Sequence, residues 1–158
     1  MIVRVVQDAF DPQAEAAAFT AGRDDAGALV SFVGYCRAAT DGVAVDSLHI
    51  DHYPGFTEKE IARLARETGE RFACADLLVV HRVGTVRPGE AIVLVAALAT
   101  HRGSAFDAVR ILMDYLKTDA PLWKKETGPE GARWIEPRAE DRARRAAAEN
   151  EAAEKEMV

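Results

Sequence analysis

Apolar residues recur along the chain in two rhythms. Short apolar or alternating runs at Ile2–Val6, Ala28–Cys36, Val45–Tyr53, Leu77–Val83 and Ala91–Ala99 have the period and length of strands. Other stretches follow helical spacing. Asp11 and Pro12 supply an N-cap and first helical position for the Ala-rich segment ending near Gly22. Thr57-Glu58-Lys59-Glu60 fits a capping box in which Thr57 and Glu60 satisfy each other's free backbone donors. Ile61, Leu64, Ala65, Thr68 and Phe72 then share one face, which predicts a helix over Glu58–Phe72. A further helix over Ser104–Lys117 sets Ala105, Ala108, Val109, Leu112 and Leu116 on one side, and Ala120-Pro121 stops it.

The breakers between these runs predict the connections. Arg87-Pro88-Gly89-Glu90 joins two strand-like runs as a hairpin, and Gly128-Pro129-Glu130-Gly131 turns between short strands at Leu122–Glu126 and Arg133–Glu136. The polar segment Ala38–Gly42 is expected to be a flexible loop. Ala139–Val158 alternates Ala with charge and predicts a solvated helix or a disordered tail, so the chain divides at residues 1–138 and 139–158. Hairpins at this frequency favour an α+β fold over a doubly wound sheet. The expectation is a single compact domain with a mixed or antiparallel sheet, helices packed on it, and a small, hammerhead-like antiparallel β subdomain.

Composition narrows the function. A chain of 158 residues, 49% hydrophobic, can enclose one sizeable core but not two ordinary domains. A net charge of -6 argues against general nucleic-acid binding, so an anionic ligand would require a local cluster of cations. Neither a basic leader nor an apolar run of roughly 18 residues is present, which points away from the membrane and to the cytoplasm. Cys36 and Cys74 stand alone, so neither a disulfide framework nor structural zinc is expected. His49 and His52 lie three apart on a strand and point to opposite faces, so no metal site, and no other cofactor, is predicted.

The cations that matter are Arg37, His101, Arg102, Lys117, Lys124, Lys125 and Arg138, all at or near element ends where side chains can converge. Lys117 follows an apolar helix face and Lys124 follows Pro121-Leu122-Trp123, so both amines are candidates for shielding from water. A shielded amine exchanges protons near neutrality, whereas two stems lying over apolar surface would keep their heads in solvent. Arg37 and Arg102 suit the planar recognition of phosphate or carboxylate, or equally a structural ion pair. His101 beside Arg102 is biased toward neutral imidazole, although a lone His after a strand also serves structural ends. Cys36 beside Arg37 is either an activated thiol or a half-buried strand residue.

Several motifs carry a resemblance. They are Ser31-Phe32-Val33-Gly34-Tyr35-Cys36-Arg37, His52-Tyr53-Pro54-Gly55-Phe56-Thr57-Glu58-Lys59, and His81-Arg82-Val83-Gly84 with Pro88-Gly89. His101-Arg102-Gly103-Ser104-Ala105-Phe106 follows, and then Met113-Asp114-Tyr115-Leu116-Lys117-Thr118 through Ala120-Pro121-Leu122-Trp123-Lys124-Lys125-Glu126 to Arg133-Trp134. In order and spacing, residues 1–138 resemble the large, catalytic subunit family of molybdopterin synthase, the MoaE family.

The resemblance implies a sulfurtransferase of molybdenum cofactor biosynthesis. Its substrate would be cyclic pyranopterin monophosphate, and its sulfur donor the C-terminal Gly-Gly thiocarboxylate of a small ubiquitin-like carrier subunit. It implies a homodimer within a heterotetramer. By matching position, Lys117 and Lys124 become the catalytic lysines. Tyr35, Cys36, Arg37, His101, Arg102, Lys125, Glu126 and Arg138 become substrate-binding residues, and Phe32 and Met113 border the carrier tail or the pocket wall. The rival reading is a non-catalytic module that only binds the tail of a ubiquitin-like partner. A nucleotide-binding enzyme would need a glycine-rich phosphate loop, which the sequence lacks.

Overall fold

The computed structural model describes residues 1–156, with side chains as far as Asn150. In chain order the elements are β1 (Ile2–Val6), α1 (Pro12–Thr20), β2 (Ala28–Tyr35), β3 (Ala39–Thr40), β4 (Val43–Ala44), β5 (Ser47–His52) and α2 (Phe56–Arg71). Then follow β6 (Cys74–Arg82), β7 (Gly84–Val86), β8 (Ala91–Ala99), α3 (Arg102–Thr118), β9 (Leu122–Gly128), β10 (Gly131–Ile135) and α4 (Ala139–Glu156).

Two four-stranded sheets divide the strands, ordered β1-β6-β8-β2 and β10-β9-β5-β7, with β3-β4 as a separate two-stranded piece. In the first sheet β1 runs parallel to β6 and the other pairs are antiparallel. The second is antiparallel throughout. The fold is α+β, as the hairpin-rich sequence suggests.

The first sheet is covered on both faces, which explains the unbroken apolar runs of its two central strands. Val93, Val95, Ala97 and Ala99 of β8 join Leu77 and Val79 of β6 in a core with Ile61, Leu64 and Ala65 of α2 and Ala105, Ala108 and Leu112 of α3. The alternate residues Leu78, Val80, Leu94, Ala96 and Leu98 pack with Phe19 of α1 on the other face. Full burial of each such Leu or Val contributes about 1.5–3 kcal/mol. A third cluster of Cys36, Leu48, Ile50, Val83 and Val86 lies between the sheets and joins them.

Asp11 caps α1 as expected, its Oδ1 accepting from the backbone of Gln13 and Ala14. The start of α2 differs from expectation. The cap is Gly55, whose N–H donates to Glu58 at 2.7 Å, while the Thr57 hydroxyl accepts from Tyr53 N–H and donates to the Pro121 carbonyl. Thr57 is fully buried and ties α2 to the strand after α3, so it is unavailable as a cap.

Two further connections carry more structure than expected. The segment expected as a loop at Ala38–Gly42 forms half of the β3-β4 hairpin, with Asp41 and Gly42 at positive φ. β6 and β8 pair as the expected hairpin, with Glu90 N–H donating to the Arg87 carbonyl at 3.0 Å in the turn, but before that turn β7 leaves the first sheet to pair with β5. Gly84, at φ 78, begins that departure. Helix α4 lies against α3: Ala148 is buried, Arg71 donates to its carbonyl at 3.2 Å, and Arg145 grips Asp119 at 2.7–3.1 Å. Met157 and Val158 lie outside the described residues. Among the described residues, no helix is long and apolar enough to cross a membrane.

Candidate functional site

Where the last turn of α3 faces the second sheet, a cavity of about 190 Å³ opens. Its wall includes Arg37 beyond β2, Lys117 of α3, Lys124 and Glu126 of β9, Ile135 of β10, and Arg138 and Asp141 at the head of α4. The register explains which side chains can meet. Lys124 pairs with Ile50 and Ile135, and Glu126 with Leu48 and Arg133, so these residues share the face toward the intersheet core. Trp123 and Lys125 take the opposite face, where the Lys125 amine sits 5.2 Å from the ring of Trp134. Trp123 and Trp134 are 50% and 58% exposed.

The two lysines differ in environment. Lys124 is partly covered along its length and its amine is densely surrounded. Loss of water pushes its pKa down, the nearby Lys117 charge pushes the same way, and Asp141 opposes both. Lys117 is not shielded in this way: its side chain is 52% exposed, and its amine donates to Asp141 Oδ1 at 2.9 Å. Burial alone would raise the Asp141 carboxyl, but hydrogen bonds from Lys117 and from the Arg138 backbone hold it below the ordinary carboxylate range.

His81, on β6 of the first sheet, is buried near enough to Lys124 to feel its charge. Its Nδ1 donates to the Arg82 carbonyl at 2.7 Å, and burial, reinforced by the Lys124 charge, pushes its pKa down to about 3. It is a neutral imidazole.

Of the residues singled out from the sequence, Arg37, Lys117, Lys124, Glu126 and Arg138 meet at this cavity. Arg37 is exposed and unpaired among the described residues, whereas Arg138 reaches Asp41 at 3.3 Å. Glu126 is committed to structure: it accepts from Thr40 at 2.7 Å and from Arg133 at 3.0 and 3.2 Å.

The other candidates lie elsewhere. His101 and Arg102 begin α3 and are exposed, 15 residues before Lys117, which is about 22 Å along a helix axis. Within one chain they cannot share the cavity with Lys117. Cys36 is 5% exposed, and burial, then Glu126 and Glu90, push its thiol up, so it is not a poised thiolate. Tyr35 is 48% exposed after the irregularity at Gly34/Tyr35 in β2. Phe32 lies 42% exposed on the edge strand β2, and Met113 is half-buried against the α2/α3 core.

Asp141, Thr40, Leu122 and Leu116 also line the wall without having been singled out. Asp141 had a legible signal, because an acid at the third helical position after Arg138 is a place where a side chain reaches back to a free backbone N–H.

Comparison with known proteins covers most of the chain. The family described as MoaE protein matches residues 5–119. The molybdopterin synthase catalytic subunit of Caulobacter vibrioides is 51% identical over 142 residues, spanning 90% of this chain and 93% of that protein. The corresponding protein of Pseudomonas aeruginosa is 48% identical, spanning 90% and 95%. Among solved structures, the molybdopterin biosynthesis MoaE protein of Burkholderia ambifaria superposes with a TM-score of 0.78 at 45% identity, covering 92% of this chain and 96% of that one. Molybdopterin synthase from Staphylococcus aureus gives 0.76 at 29% identity, covering 83% and 94%.

Proposed function

The chain belongs to the MoaE protein family, and from that premise we propose that it is the catalytic subunit of a molybdopterin synthase, acting as a sulfurtransferase. The carrying observation is a pair of unequal lysines at one cavity of an otherwise acidic protein, beside the exposed guanidinium of Arg37. The reactants are anions, a thiocarboxylate and a pterin phosphate, and only a local cationic hollow would admit them.

Sulfur arrives on the C-terminal Gly-Gly thiocarboxylate of a small ubiquitin-like carrier. In each transfer its sulfur bonds to a carbon of cyclic pyranopterin monophosphate as a carbon–oxygen bond there breaks, the oxygen leaving as water or with the opened phosphate. Lys117 supplies the proton to that leaving oxygen. Lys124, when protonated, steadies the thiocarboxylate and the oxyanion formed as water cleaves the acyl–sulfur bond, which leaves the carrier as a carboxylate. Two transfers, with opening of the cyclic phosphate, yield the dithiolene.

Arg37 and Arg138 take the phosphate in this reading, and Phe32 and Met113 flank the path of the carrier tail. His101 and Arg102 act from the second copy of a homodimer, since their own α3 carries them away from their own Lys117. With two carriers the assembly is a heterotetramer. Residues 1–138 form the synthase domain, 139–158 an appended segment, and the enzyme works in the cytoplasm.

Reconstitution tests this. The chain is mixed with thiocarboxylated carrier and pterin precursor, and the dithiolene product is measured. Product formation is expected, while carrier binding without product would leave only a tail-binding module.

A further inference from the structure

We propose that Asp141, at the head of α4, is a positioning residue for sulfur transfer, holding the Lys117 amine in place beside Lys124. The proposal rests on the synthase reading above.

The carboxylate is fixed at both oxygens. Oδ2 accepts from the Arg138 backbone N–H at 3.1 Å, which closes the first turn of α4, and Oδ1 accepts from Lys117 Nζ at 2.9 Å. Asp141 is only 6% exposed, so it does not swing with solvent as a surface acid would. The helix that carries it is itself clamped to the last turn of α3. Arg145, one turn on, grips Asp119 with two nitrogens and lies 5.5 Å over the ring of Tyr115. Two ion pairs therefore span the same two helix ends, Asp141 to Lys117 and Arg145 to Asp119.

Such a pair is ill-suited to a purely stabilising role. Lys117 is half exposed, so solvent on its side screens the pair and limits what it adds to stability. What the contact does supply is direction, because a lysine with four rotatable bonds otherwise spreads its amine over many rotamers. A misplaced reacting group costs on the order of a hundredfold in rate. Asp141 also stands between the two lysines electrostatically, since Lys124 is pushed down by Lys117 and up by Asp141. The other charges facing this pair are Asp114 of α3, Arg144 of α4, and Arg37, Glu126, Glu136 and Arg138 around the cavity.

The test uses the full chain with its carrier and compares wild type, Asp141→Asn and Asp141→Glu. Asn keeps its one oxygen for the Arg138 N–H and then turns amide donors toward the ammonium. Three quantities are read: the rate of dithiolene formation across pH, the dissociation constant of the carrier, and the titration of the Lys124 amine by carbon-13 NMR in the carrier-free protein.

Asp141→Asn is expected to lower kcat on the order of tenfold to a hundredfold, leave carrier affinity within about twofold, and move the Lys124 titration to lower pH. Glu should recover most of the rate. An active wild type whose Asn variant retains both its rate and its Lys124 titration would overturn the role of Asp141 alone. So would a loss of rate that comes with weakened carrier binding while the Lys124 titration stays unmoved. A wild type that makes no dithiolene overturns the synthase reading and this proposal together.

Discussion

Arg133 holds Glu126 through two nitrogens, Nε at 3.2 Å and Nη2 at 3.0 Å, across the turn that joins β9 to β10. The second carboxylate oxygen accepts from Thr40 at 2.7 Å, so one buried acid fastens the β3-β4 hairpin to the floor of the cavity. Glu126→Ala strands a buried hydroxyl and a guanidinium at once. It is expected to destabilise the protein by about 1–3 kcal/mol, measured by urea unfolding, and an unchanged midpoint would show that water replaces the acid without loss.

Lys124 is where activity and stability should oppose each other. Its amine is held in surroundings that disfavour the charged form, so Lys124→Met relieves a cost while filling the same space. The expected outcome is a higher melting temperature with dithiolene formation reduced at least about a hundredfold. A variant that is both less stable and fully active would contradict the electrostatic account.

His81 sets the acid limb of stability. Its folded pKa, pushed down to about 3, lies below the ordinary value of 6.5, so the unfolded chain takes up a proton that the folded chain refuses. The neutral-state stability is complete above the unfolded value and is lost as pH falls from about 6.5 toward 3, at up to roughly 1.4 kcal/mol per pH unit. His81→Asn should flatten that slope in a series of melts between pH 7 and pH 4, and an identical slope in the variant would assign acid lability to other groups.

Opposite ends of α3 offer a complementation test. If Arg102 serves the cavity of a second copy, a Lys117→Ala chain mixed with an Arg102→Ala chain forms dimers with one intact cavity. Random reassortment of two inactive variants would then restore about a quarter of wild-type activity. Mixtures as inactive as their parents would place Arg102 outside the reaction.

Much of this was legible in the sequence where period and burial agree. The runs at Leu77–Val83 and Ala91–Ala99 lack alternation because both faces of β6 and β8 are covered, and an uninterrupted apolar strand records that. The start of α2 was less legible, because a threonine hydroxyl can cap its own helix or reach across the fold. Thr57 does the latter, and only three-dimensional proximity to Pro121 decides it.

At the site, the convergence of Lys117 and Lys124 was legible from their places at element ends, and they line one cavity, whereas the length of α3 keeps Arg102 away from that cavity within one chain. Strand alternation similarly separates Lys125 from Lys124 before any coordinates are known. The pairing of α4 with α3 had no hydrophobic signature. It rests on Arg145, Asp141 and a buried alanine, and of these only Asp141, placed to reach back to the Arg138 N–H, has a signal in a segment rich in Ala and charge.

The chain has two tryptophans, and both sit half-exposed on the second sheet, on the face turned away from the cavity. Tryptophan emission from this protein therefore originates in a single neighbourhood. Without any attached dye, a spectroscopist following quenching or a wavelength shift would observe docking events at that sheet, while rearrangements around α1 would pass almost unseen.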